Sequence, residues 1–143
     1  MKRVLSIVAI LFVASYAWDN LGLKDRFGFL NSSGDSALVE AFEQQQSDLQ
    51  VQGRGEVVKV LADDNDGSRH QRFILQLNSG QTLLIAHNID LAPSISSLKR
   101  GDSVEFYGEY EWNPKGGVIH WTHHDPQGRH VAGWLKHNGR TYR

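Results

Sequence analysis

Hydrophobic positions along this chain change their spacing three times. Behind Met1-Lys2-Arg3, residues Val4 to Trp18 form an uncharged, largely apolar run. A basic start followed by an apolar stretch shorter than the roughly 20 residues of a membrane span is the pattern of a secretory signal. Ser15-Tyr16-Ala17 offers a small-x-small cleavage site. Residues 1–17 are therefore expected to be a signal peptide, or a signal anchor if uncleaved, with residues 4–18 the one means of holding a membrane. Residues 18–50 follow as a spacer. Asp19 to Asp35 is rich in Gly, Asn, Asp and Ser, but between Ser36 and Gln50 apolar residues recur at helical spacing. Leu38, Phe42 and Leu49 share a face and Ser36 can cap the first turn, which predicts a short helix over 36–50.

From Val51 the period becomes two, the signature of strands with one buried face. Strands are predicted over 51–61, 69–77, 81–87, 103–112 and 117–123. Gly53 and Gly55 mark the first as strongly bent. Turns are expected at Asp63 to Gly67, Asn78-Ser79-Gly80 and Asn113 to Gly116, with a crossing loop or short helix over 91–100. The first turn is acidic, but an EF-hand register would start on Ala62 and end on Phe73, so calcium binding by that motif is rejected. A last hairpin pairs 134–137 with 140–142 around Asn138-Gly139, the dipeptide favoured in type I′ turns. A long coiled strand, a hairpin, a crossover and two more strands is the order of an OB-fold barrel. The fold class is thus mainly β: an OB-fold-like antiparallel barrel over 51–143, with another small antiparallel barrel or sandwich as the alternative.

Composition narrows the function classes. The chain has 143 residues, a formal net charge of −1 and no cysteine. Disulfides, a thiol nucleophile, a cysteine zinc site and a lipoprotein anchor are all excluded, and an exported domain of this kind must rest on its core. Residues 51–143 hold 11 Lys and Arg against 10 Asp and Glu. Binding dominated by phosphate neutralisation needs a clear basic excess, so nucleic acid is not the expected partner.

Candidate chemistry concentrates in one place. Six of the seven histidines lie after residue 80, four of them within His120 to His130. If Asn113 to Gly116 is the loop, Trp112 faces Gly117 and the pairs step outward from there. Tyr110 with Ile119, Gly108 with Trp121 and Phe106 with His123 make an apolar face, expected in the core. Glu109 with His120, Tyr107 with Thr122 and Glu105 with His124 make a polar face that pairs carboxylate with imidazole twice, at about 5 Å between Cβ atoms. Such a face is a candidate site, or equally a solvated strand pair. His120 and His124 stand about 13 Å apart on a strand, too far to share a metal. A metal such as zinc would instead draw on His123, His124, Asp125 and His130, with His87 folded back. Trp112 and Trp134 could stack on a sugar or base. Thr122 and His87, at the barrel rim, complete the candidates.

The stretches Ser68-Arg69-His70-Gln71-Arg72-Phe73, Ile85 to Asp90, Glu109 to Pro114 and His120-Trp121-Thr122-His123-His124-Asp125-Pro126 resemble a family of small exported bacterial proteins of unknown function. The resemblance covers roughly 51–143 and implies a single envelope domain, with no activity attached. A likeness of His123 to Pro126 and Asn138 to HNH nucleases fails, because no histidine follows Asn138. A Ser-His-Asp hydrolase is equally poorly supported, since no serine sits in a strand-to-helix elbow. Three readings remain open. The first is an exported, periplasmic binding module whose Glu/His/Trp face holds a small ligand, a divalent metal or an envelope partner. The second is a metal-dependent hydrolase built around 120–130. The third is a structural partner of another envelope protein.

Overall fold

The computed structural model describes residues 34–143, so the expected signal segment and most of the spacer lie outside the described residues. A helix, α1, occupies residues 34–43. Seven strands follow: β1 (Leu49–Val60), β2 (His70–Gln76), β3 (Thr82–Asn88), β4 (Ser103–Glu111), β5 (Val118–His120), β6 (Trp134–His137) and β7 (Arg140–Tyr142). No helix among the described residues is long and apolar enough to cross a membrane.

The sheet runs β1-β2-β3-β5-β4 and closes through a β4–β1 pairing, with β3 and β5 parallel. This closed five-stranded barrel has the strand order of the OB-fold expected from the sequence. One strand closes it. The first part of β1, Leu49 to Glu56, pairs with β4, and its end, Glu56 to Val60, pairs with β2 across a bulge at Val57/Lys59. Gly53 makes the tight bend possible, because a Cβ there would stand 2.6 Å from the Phe106 ring.

Alternation sorts the side chains as period two requires. Phe73, Leu75, Leu83, Ile85, Val104 and Phe106 are fully buried inside the barrel. The crossover after β3 is tied down by a polar clamp. Buried Gln71 donates to the Ile95 carbonyl at 2.8 Å and accepts from the Ile95 amide at 2.9 Å, seating Ile95 in the core. The final hairpin forms as expected, with Asn138 and Gly139 at φ 50° and 75°. Its His137 is anchored to Asp102 at 2.8 Å, and that imidazole, more than the Lys99 amide, holds the Asp102 carboxyl below its ordinary range.

Two elements differ from expectation. The helix ends at residue 43 instead of 50. Beyond it Gln45 and Asp48 adopt positive φ, and Leu49 enters β1 instead of extending the helix. The polar run from Glu43 to Asp48 has no apolar residue to bury, and Ser and Asp favour turns over helix interiors. Ser36 therefore lies inside α1, not ahead of it. Leu38 and Ala41 are fully buried, so the helix is part of the domain's core. The second difference is β5, three residues long where seven were expected. Trp121 has φ 53°, a left-handed conformation that ends the ladder and inverts the alternation after His120.

Candidate functional site

The polar face lies on the outside of the barrel, on β1, β4 and β5. Opposed residues of an antiparallel pair share a face. Glu109 stands opposite Gln50 on β1 and opposite His120 on β5, giving one row across three strands. In the next row Tyr107 lies between Gln52 and Trp134, and on the other side comes Glu111, opposite Val118.

Because the ladder stops at His120, the chain from Trp121 to Gly133 leaves the sheet and returns as β6. Glu105, Phe106 and Tyr107 consequently pair with Lys136, Leu135 and Trp134, not with His124, His123 and Thr122. Gly133 permits the return: a Cβ there would stand 2.0 Å from the Trp121 carbonyl and 2.4 Å from that of Tyr107. Within the excursion Asp125 is the organiser. Its Oδ1 accepts from the Gln127 amide, and its Oδ2 from the amides of Arg129 and His130, each at 2.9 Å. The amides of Gln127 and then His130 hold its carboxyl below the ordinary value. Asp-Pro-Gln-Gly is a type I turn sequence, a signal that could have revealed this role.

That turn carries His130 back over the sheet. Its ring stacks on Trp121 at 4.0 Å and 8°, and its Nε2 lies 2.5 Å from Glu109 Oε2. Its Nδ1 is 2.9 Å from the Val131 carbonyl. Both ring nitrogens face oxygen atoms that can accept, an arrangement that favours the doubly protonated ring. Partial burial pulls its pKa down, but the Val131 carbonyl and the Glu109 carboxylate outweigh it, and the net shift is upward. A cation stacked on an indole is a favourable pair.

The other histidines divide by environment. His87 is fully buried; its Nε2 donates to the Pro93 carbonyl at 2.9 Å, so its Nδ1 accepts from the Thr122 hydroxyl at 2.7 Å. Burial drives its pKa down to about 4. His123 is nearly buried, donates from Nδ1 to the His124 carbonyl at 2.6 Å, and is lowered mainly by burial. His124 is exposed. His120 Nε2 faces Glu111 Oε1 at 3.4 Å.

The sequence-derived candidates therefore separate. Glu109 and His120 are opposed as expected, but the Glu109 carboxylate reaches His130. Glu105 and His124 are not paired; Glu105 lies 3.8 Å from Arg54. Tyr107 meets Trp134, ring centroids 6.0 Å apart, instead of Thr122, which turns inward to His87. Trp121, expected in the core against Gly108, is only half-buried, between His130 and His123; Ile119 and Thr122 are the side chains close to Gly108. Trp112 packs on α1, stacked on Phe42, with its indole donating to the Phe42 carbonyl at 3.1 Å. The metal set His123, His124, Asp125 and His130 is not brought together: Asp125 is bound to backbone amides, and both His130 ring nitrogens are engaged, by Glu109 and the Val131 carbonyl. Among the described residues one donor group of three stands close enough for a metal, Glu109, Glu111 and His120, with donor atoms within 4.8 Å of one another. Glu111 was missed, although it lies two residues from Glu109 on the same face of one strand.

A family model described as "Protein of unknown function (DUF3465)" matches residues 10–143. The chain belongs to this family. Membership in the DUF3465 family brings no activity with it, and no curated protein matches the chain.

Proposed function

We propose that this DUF3465 protein is an exported binding module that holds a small polar ligand on the outer face of β4, β5 and β6. The observation that carries the reading is the convergence of Glu109, Glu111, His120 and the Trp121–His130 stack on one half-buried face. Ligand sites combine a few fixed polar groups with aromatic surface. Here the polar groups sit on barrel strands, and Tyr107 and Trp134 adjoin them. Export is supported by the basic-apolar start, Met1 to Trp18. The hydrolase alternative finds less support, because its supposed ligands His123, His124, Asp125 and His130 are committed to other contacts or face solvent.

Two measurements test the reading. Fractionation of a bacterial host, with mass determination of the mature chain, should find the protein outside the cytoplasm; retention there in full-length form counts against export. Thermal-shift screening against divalent ions, sugars, nucleotides and peptidoglycan fragments should give at least one stabilising ligand whose effect Glu109→Gln or Trp134→Ala abolishes. A protein indifferent to every class, or a ligand indifferent to both changes, removes the assignment to this face.

A further inference from the structure

The Glu109–Glu111–His120 group presents an unsolved charge balance. Two carboxylates lie on neighbouring same-face positions of β4, and Asp48, at the entry to β1, adds a third against Glu111. Among the described residues no lysine or arginine forms an ion pair with Glu109 or Glu111; their ionic partners are His130 and His120. His130 contacts one of these carboxylates, that of Glu109. Like charges this close favour a shared proton, as the hydrogen bond between Glu111 and Asp48 allows, or a cation.

Geometry favours the cation. Tetrahedral bonds of about 2.1 Å place donor atoms roughly 3.4 Å apart. His120 Nε2 and Glu111 Oε1 are 3.4 Å apart, and one donor atom from each of the three residues lies within 4.8 Å of the other two, so modest side-chain rotation closes the set. All three donors project from strands locked in register, a firmer base than a loop. His130 holds Glu109 through Oε2, as hydrogen-bonded partners commonly orient ligating carboxylates.

An independent observation points the same way. Gln50, directly opposite Glu109 on β1, has a buried side-chain nitrogen with no hydrogen-bond partner. A buried amide donor without a partner is costly. Turned over, the same amide presents an oxygen, which a cation beside Glu109 would satisfy.

We propose that Glu109, Glu111 and His120, with the Gln50 amide oxygen beside them, bind one divalent metal ion of the zinc class. Two carboxylates and one imidazole suit zinc, with manganese weaker in the general affinity order and magnesium weaker still. This deepens the binding-face reading and rests on it.

The test uses the untagged chain, freed of metal by chelation and titrated with Zn²⁺ by calorimetry, alongside Mn²⁺ and Mg²⁺. The expected result is one zinc per chain, a higher melting temperature with zinc, and at least tenfold weaker binding in Glu111→Gln and His120→Ala. His124→Ala should bind as the parent does. Glu111→Gln keeps the size of the side chain, so it reports on ligation even where His120→Ala folds poorly; circular dichroism checks both. Absence of zinc binding overturns the proposal, as does binding that survives both changes and disappears in His123→Ala or His124→Ala. Zinc indifference together with a sugar or nucleotide whose stabilisation Trp134→Ala removes sinks the metal site and keeps the binding face. Indifference to every class sinks both.

Discussion

The β2–β3 hairpin and the β4–β5 pair are both antiparallel walls of the same barrel, yet they are held differently. In β2–β3 seven residue pairs run unbroken from His70 with Asn88 to Gln76 with Thr82. Every inward position is buried, and the turn merely reverses the chain. In β4–β5 the ladder lasts three pairs, and the chain then leaves the sheet at Trp121. What holds the excursion is a set of polar contacts: Asp125 to three amides, Thr122 to His87, His130 to Glu109. The regular wall is specified by apolar area, which is non-directional. The excursion is specified by directed hydrogen bonds, and those place the candidate side chains.

The contrast breaks most visibly when the regular wall is damaged. Phe73 is fully buried with ladder partners on both sides. Phe73→Ala should cost about 3–5 kcal/mol through lost burial and the cavity left behind. Denaturant unfolding would register this as a lower midpoint at unchanged slope. A loss below about 1 kcal/mol would mean that β2 does not line a packed interior.

Acid separates the two regions next. His87, on the regular wall, is kept neutral by burial, with its pKa lowered from 6.5 to about 4. In the unfolded chain it takes a proton at its ordinary pKa, so stability falls as pH drops from about 6.5 to about 4 and levels off below that. The shift corresponds to about 3 kcal/mol. Burial lowers His123 as well, which adds to the loss within the same window. Melting temperature followed from pH 7 to pH 4 should show this limb, and His87→Gln should flatten it. An unchanged slope in that variant would place the acid sensitivity elsewhere.

These two regions also mark how far the sequence can be read. Alternation of Phe73, Leu75 and Leu77 and the Asn-Gly turn sufficed for the barrel strands and the last hairpin, because burial on one face enforces a period of two. The same reasoning carried Tyr110 with Ile119 and Glu109 with His120 correctly, then failed one residue later. Nothing in the alternation of Ile119, Trp121 and His123 signals that Trp121 takes a left-handed conformation. That choice follows from tertiary contacts: Thr122 finding His87, Gly133 fitting between two carbonyls, and His130 finding Glu109. Polar residues far apart in sequence fix the excursion, and Gln50 became visible only with the β1–β4 register in hand, whereas Glu111 was already implied by the two-residue spacing from Glu109.

Trp121 probes the excursion directly. Half-buried and stacked on His130, it should cost about 1–2 kcal/mol on change to Ala, most of it aromatic and cation–π contact. Its fluorescence should also follow His130. The raised His130 pKa contributes stability that is complete below the ordinary value of 6.5 and is lost as pH rises through the folded value. Titration from pH 6 to pH 9 should therefore change Trp121 emission and weaken the stack together. A cost of 3 kcal/mol or more would return Trp121 to the core.

The smallest effect sharpens the comparison most. His124 sits in the densest part of the histidine run, yet it is exposed, and its side chain forms none of the hydrogen bonds or ion pairs of the described residues. His124→Ala should change stability by less than about 0.5 kcal/mol. The His123 contact runs to the His124 carbonyl, which the substitution leaves in place. His130→Ala, six residues on, removes the bridge between the excursion and β4 and should be measurably worse. Equal costs for the two changes would mean that the excursion is held by backbone turns alone, with the Glu109–His130 contact contributing nothing to its position.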